Sequence, residues 1–184
     1  MSLSQIELIQ DLENRVKESI EEVSKWQLKE QNLLNHKPTP QSWSALECLE
    51  HLNRYGDFYI PEIRKRLNSA TKVQARTFKS TWLGNYFALS LLPKEKLNKM
   101  KTFKSMNPAG SQLNSSVITI FLKQQNELLE LLELAKTVTL NKVRTNISIS
   151  KWIKLKCGDT FRVVIYHNQR HIVQAKRAIE NGSR

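Results

Sequence analysis

The sequence predicts an all-α protein built as a bundle of four long helices, and three observations carry that expectation. Apolar residues recur at three- and four-residue spacing in four separate stretches, the period of one helix face. Only five glycines and five prolines interrupt 184 residues, too few for a many-turned β fold. An S-x-x-E capping box, Ser44 to Glu47, opens one stretch where an apolar pattern begins. The length suits a single domain over residues 1–184, long enough for a proper core without staples.

The first helix is expected from Ser4 to Leu34, with Leu8, Leu12, Val16, Ile20 and Val23 on its inner face. Pro38 and Pro40 then stop it, because proline disfavours helix at the residue before it. The second begins at Ser44 and runs to about Ala70. Trp43 precedes its cap as a hydrophobic staple. Pro61 predicts either a kink near Ile60 or a break with Asp57 as a new cap. Residues 70–113 form a long connection with one short helix, Thr81–Leu92, and a lysine-rich stretch, Lys94–Lys104. A connection of that length inside a compact domain is often functional. The third helix covers Asn114–Lys136. Thr145–Leu155 alternates weakly, as an extended segment would. Gly158-Asp159 opens the fourth helix, with Asp159 as its N-cap, and it runs to Glu180. The short link between helices 1 and 2 predicts antiparallel neighbours, and the longer link from 2 to 3 allows those two to run parallel.

Two cysteines, Cys48 and Cys157, are too few for a disulfide framework. Glu7 and Asp11 sit among the first apolar residues, which excludes a signal peptide there. The longest apolar runs are far short of a membrane span, so no membrane partner is expected. Together these features point to a cytoplasmic protein. The net charge is +12, unevenly spread: residues 1–69 hold 9 basic and 11 acidic side chains, and residues 70–110 hold 8 and 1. Residues 140–184 hold 10 and 2. Such a field attracts anions, or simply keeps a surface soluble.

The chemistry is concentrated in histidine. His167 and His171 stand four residues apart in the fourth helix, on one face and one turn apart. His51 lies two turns into the second helix. If those helices pack side by side, three imidazoles converge and can hold one divalent cation with positions left open. A pair of histidines on a buried face also suits a hydrogen-bonded core. The pair is not the zincin motif, since Asn168 stands where H-E-x-x-H needs glutamate.

Trp43-Ser44-Ala45-Leu46-Glu47-Cys48-Leu49-Glu50-His51-Leu52 resembles the W-S-x-x-E-x-x-x-H-L segment of the DinB/YfiT-like family. His167-Asn168-Gln169-Arg170-His171-Ile172-Val173-Gln174 resembles its H-x-x-R-H-x-x-Q segment. Order and spacing match over nearly the whole chain, and the likeness is greatest to the metal-dependent hydrolases of that superfamily. The resemblance implies a four-helix bundle of up-down-down-up order. It implies a divalent metal on His51, His167 and His171; histidine nitrogen suits zinc, nickel or similar ions. It also implies hydrolysis, or transfer to a low-molecular-weight thiol such as bacillithiol or mycothiol. The family often has glutamate at the position of Asn168, a departure that touches no ligand.

Other candidates carry two readings each. Glu47, one turn before His51, is a catalytic general base or only half of the capping box. Tyr55 and Gln174 line a cofactor pocket or orient a ligand; equally, Tyr55 is core and Gln174 an inter-helix hydrogen bond. Cys48 is a thiolate ligand or a small buried hydrophobe. His36 is an exposed loop residue. Arg170 faces partly away from the pair and serves a salt bridge. Trp82, Tyr86 and Phe87 form a lid or pack down on the bundle.

Two classes of function follow. One is an enzyme whose metal activates water or a thiol for a small anionic or thiol-bearing substrate. The alternative is a basic nucleic-acid-binding or partner-binding helical module, homodimeric or not, without catalysis. The basic residues show no recognition helix, RRM or zinc-finger pattern, so nucleic acid is the weaker partner.

Overall fold

The computed structural model describes residues 2–73, 75–93 and 102–183. Lys94, Lys96, Lys99 and Lys101, part of the basic stretch singled out in the sequence, lie outside the described residues. Helices dominate: α1 Gln5–Ser24, α2 Gln31–Leu34, α3 Ala45–Asn68, α4 Trp82–Leu91, α5 Ser116–Ala135 and α6 Cys157–Gly182. Two short antiparallel ladders join them. Strand β1, Ser2–Ser4, pairs with β2, Thr77–Lys79. Strand β3, Arg144–Ile147, pairs with β4, Ser150–Lys156. The weak alternation of 145–155 is therefore a hairpin; the pairing of β1 with β2 had no local signal.

The first helix is shorter than its expected span of Ser4–Leu34. It ends at Ser24, passes through a 3-10 turn at Lys25–Leu28, and becomes extended at Lys29. The apolar stripe explains this. Beyond Val23 the inward positions fall on Trp26 and then Glu30, and Leu28 points to solvent. Tertiary packing, not propensity, carries most helices, and here the packing face runs out. The link to α3 thus takes residues 25–44 instead of the short link expected after Leu34. That length lets α1 pack on α5 and α6, not beside α3 as the antiparallel neighbour expected.

Helix α3 opens on the capping box as read. Ser44 Oγ accepts from Glu47 N at 3.2 Å and Glu47 Oε2 accepts from Ser44 N at 2.9 Å. It then continues through Pro61 without the break expected at Asp57. Ile60 just before the proline and Ile63 and Leu67 beyond it are buried, so their packing holds the helix together. Asp57 caps nothing and instead accepts from Gln124 Nε2 at 2.9 Å. Gly56 makes this approach of α3 to α5 possible, since a Cβ there would land on the Gln124 amide.

Asp159 is not the N-cap of α6. The helix starts two residues earlier at Cys157, after an uncapped Lys156. Fully buried, the Asp159 carboxylate accepts from Thr81 N and Thr81 Oγ1, each at 3.0 Å, and from Ser80 Oγ. Arg162 Nη1 lies 3.6 Å from it. Asp159 thus anchors the start of α4 to α6. Thr81 in turn caps α4, accepting from Gly84 N at 2.9 Å.

The core divides into two apolar clusters. One gathers Leu12, Ile63, Leu132 and Phe161, and the other gathers Val23, Leu49, Phe121 and Ala175. Between them each long helix turns polar: Ser19 on α1, Asn53 on α3, Gln124 and Gln125 on α5, Asn168 on α6, all buried. Ser19 bonds within α1 to the Arg15 carbonyl; the others pair across the layer. Gln124 Nε2 donates to Asn53 O at 3.1 Å, and Asn168 Nδ2 donates to Gln125 Oε1 at 3.0 Å. Asn53 Oδ1 is left without a partner among the described residues, but the remaining bonds of this layer fix the mutual height of the helices. The histidines lie at that level.

Candidate metal centre

His51 comes from α3, and His167 and His171 from consecutive turns of α6. The packing of α3 on α6 brings all three together. Their ligand atoms lie within 4.8 Å of one another, so the group could hold a metal ion. Ring centroids are 4.6–5.0 Å apart, edge to face.

Hydrogen bonds decide which nitrogen each ring presents. Nδ1 of His51 donates to the Met106 carbonyl at 2.7 Å. Nδ1 of His171 donates to Gln174 Oε1 at 3.0 Å. Each bond fixes a tautomer whose lone pair is on Nε2. Nε2 of His51 and Nε2 of His167 are 3.3 Å apart. Two nitrogens at ~2.0–2.1 Å from one tetrahedral ion are themselves ~3.3 Å apart. The donor set, and the spacing of this pair, therefore fit a borderline divalent cation.

Burial keeps the rings neutral, as ligands must be. Desolvation pushes His51 down to about 4, with Arg54 adding to the effect against the Met106 bond. Desolvation pushes His171 down to about 3, with His51 adding to it against the bond to Gln174. His167 falls well below the usual imidazole range, through burial first and then the neighbouring rings.

The trio forms part of the wall of a cavity of about 730 Å³. Tyr55 and Gln174 also line it. The Tyr55 ring packs edge-on against both His51 and His167, and burial pushes its hydroxyl up to about 12. Arg170, read from the sequence as facing partly away, is buried and lines the cavity; desolvation lowers its guanidinium below the usual range. Glu47 is placed differently. One carboxylate oxygen closes the capping box and the other accepts from Lys37 Nζ at 2.7 Å, and the residue is not among those lining the cavity. Cys48 is a buried member of the apolar core, and burial pushes its thiol up. Phe87 reaches the cavity, while Trp82 and Tyr86 on the same helix face solvent.

Several neighbours were not legible in the sequence. Trp43 leans over His51 and His171, ring centroids 4.8 and 5.7 Å away. The Met106 carbonyl is a backbone group and leaves no residue signature. Ile147, Ser148 and Ile149, at the tip of the β3–β4 hairpin, close one side. Arg177 and Asn181 extend the wall along α6, and their spacing from His167 and His171 was the available clue.

No curated protein and no solved structure matches the chain. The family model described as the DinB superfamily matches residues 9–175, a span from α1 into α6 that contains all three histidines. With that match covering most of its length, the chain belongs to the DinB superfamily.

Proposed function

We propose that the protein is a cytoplasmic metal-dependent enzyme in which His51, His167 and His171 hold one divalent ion, zinc, nickel or similar. In this reading the four long helices form the up-down-down-up bundle that the family resemblance implies. When bound, the ion supplies a Lewis acid that lowers the pKa of water or of a low-molecular-weight thiol. Hydrolysis or thiol transfer on a small anionic or thiol-bearing substrate is the reaction class.

The observation that carries this reading is the convergence of three neutral imidazoles on the wall of a large cavity. Three protein ligands leave part of a coordination shell open, which is the arrangement of catalytic and not structural sites. The chain's own groups have evident tasks. Met106 O and Gln174 Oε1 orient the rings. Trp43 shields one side of the trio. Arg170 puts a positive charge on the cavity wall, suited to an anionic group. Neutral ligands leave the full charge on the ion, which favours a thiolate or hydroxide beside it.

Elemental analysis of purified protein tests the proposal, followed by the same measurement on His167→Ala. About one equivalent of divalent metal is expected in the wild type and a near-complete loss in the variant. Full occupancy in the variant would remove the model.

A further inference from the structure

We propose that the outer face of α4, together with the adjoining face of β4, docks the protein on an anionic lipid bilayer surface. This inference is independent of the metal centre.

Helix α4 has no charged residue anywhere in its sequence. A helix that is apolar all round is normally buried on all sides. Here Gly84 and Ala88 are buried and Phe87 and Leu91 reach the cavity, but the opposite face is open. Trp82 is 83% exposed, Tyr86 59% and Leu89 47%. Their spacing of four and three residues puts them in one stripe. The Trp82 and Tyr86 rings stack on each other at 6.0 Å. Contiguous exposed apolar surface of this kind marks an interaction site.

Strand β4 packs beside α4 and carries a further exposed aromatic with basic neighbours. Trp152 is 94% exposed, and Lys154 and Lys156 share its side of the strand while Leu155 points inward, as period-two alternation requires. Lys156 Nζ donates to the Lys79 carbonyl at 2.6 Å, three residues before Trp82, which joins the strand to the start of the helix. Arg144 pairs with Lys156 across the hairpin. Residues 77–93 and 140–158 hold six basic residues and not one acidic residue.

Exposed tryptophan and tyrosine alongside basic residues are what the headgroup region accommodates: amphipathic rings at the interface, cations on anionic phosphates. The other occupants fit less well. A second copy docking through this face would set two identical basic patches against each other. Single-stranded nucleic acid stacks on aromatic faces, but it has no use for the exposed Leu89.

The test is co-sedimentation of the full chain, without added metal, with vesicles of phosphatidylcholine alone or with about one-third phosphatidylglycerol. Binding is expected only to the anionic vesicles, weakening as salt rises. Trp82→Ser with Trp152→Ser, both at exposed positions, is expected to lower the partition coefficient by about tenfold or more, and Lys154→Glu to lower it as well. Circular dichroism checks that the variants remain folded. Absence of binding at low salt would overturn the proposal, as would equal binding by wild type and double variant. So would concentration-dependent dimerisation abolished by Trp82→Ser, or oligonucleotide binding lost in the same variant without vesicle binding.

Discussion

The backbone carbonyl of Met106 accepts the Nδ1 proton of His51 at 2.7 Å, across 55 residues of chain. The bond holds the imidazole in the tautomer that presents Nε2 to the other two rings. The segment that delivers it is itself tied down, because Arg54 Nη1 donates to Asn107 O at 2.7 Å from one turn further along α3. His51 and the clamp on its partner therefore come from the same helix.

Removing these supports is expected to weaken metal binding without unfolding the chain. Gln174→Ala deletes the acceptor of His171 Nδ1, and Arg54→Ala frees the Met106 segment. Partners that orient a ligand typically contribute 10–100-fold in affinity. Competition of zinc against a chromophoric chelator should show a loss of about that size for Gln174→Ala, with metal-free stability changed by no more than about 1 kcal/mol. Unaltered affinity in both variants would mean that the hydrogen bonds seen here do not set the ligand geometry.

How much of this was written in the sequence depends on the distance over which each feature acts. The capping box places Ser44 at the start of α3 and so fixes the turn on which His51 sits, and i,i+4 spacing fixes His167 against His171. Both are local. Asp159 shows the opposite case. Beside a helix start it reads as a cap, yet its partners are Ser80 and Thr81, 79 and 78 residues away. The end of α1 at Ser24 was visible only in retrospect, since Trp26 keeps to the buried stripe but Leu28 is apolar and points to solvent. The buried polar layer was hidden for a related reason. Gln124 and Asn53 look like surface residues until their partners across the helix interface are known.

Both thiols are expected to be inert in the folded protein. Cys48 and Cys157 are fully buried, and desolvation raises both above the ordinary thiol range. Only the thiolate is nucleophilic. A disulfide-exchange reagent at about pH 8 should therefore find no reactive thiol in the native state and both once denaturant is added. Rapid native reaction of Cys48 would place it nearer solvent, and nearer the histidines, than the apolar core allows.

Gly56→Ala is expected to destabilise, although alanine in a helix interior is favoured over glycine by about 1 kcal/mol. The added methyl would occupy the position of the Gln124 side-chain amide. Displacing that amide also strips the donor from Asn53 O and Asp57 Oδ1. Overpacking alone costs about 1–3 kcal/mol. Urea unfolding should show a lower midpoint, and the double variant Gly56→Ala with Gln124→Ala should recover part of the loss by making room. A midpoint above the wild type would show that α3 and α5 are not in close register here.

Asp159→Ala is expected to be the most damaging single change outside the histidine cluster. Its carboxylate is fully buried and accepts from Ser80 and Thr81, with the buried Arg162 alongside. Truncation leaves those donors and a guanidinium with too few partners, and breaking a buried pair on one side costs about 3–5 kcal/mol. The damage should also be directional. With its anchor gone, the N-terminus of α4 separates from α6, so backbone amides of Trp82–Leu91 should lose hydrogen-exchange protection before those of α5. Gly84→Ala should give the same pattern from the other side, because its new Cβ would sit on the Asp159 carboxylate. Uniform loss of protection in all helices would indicate that Asp159 supports the whole core and not this junction.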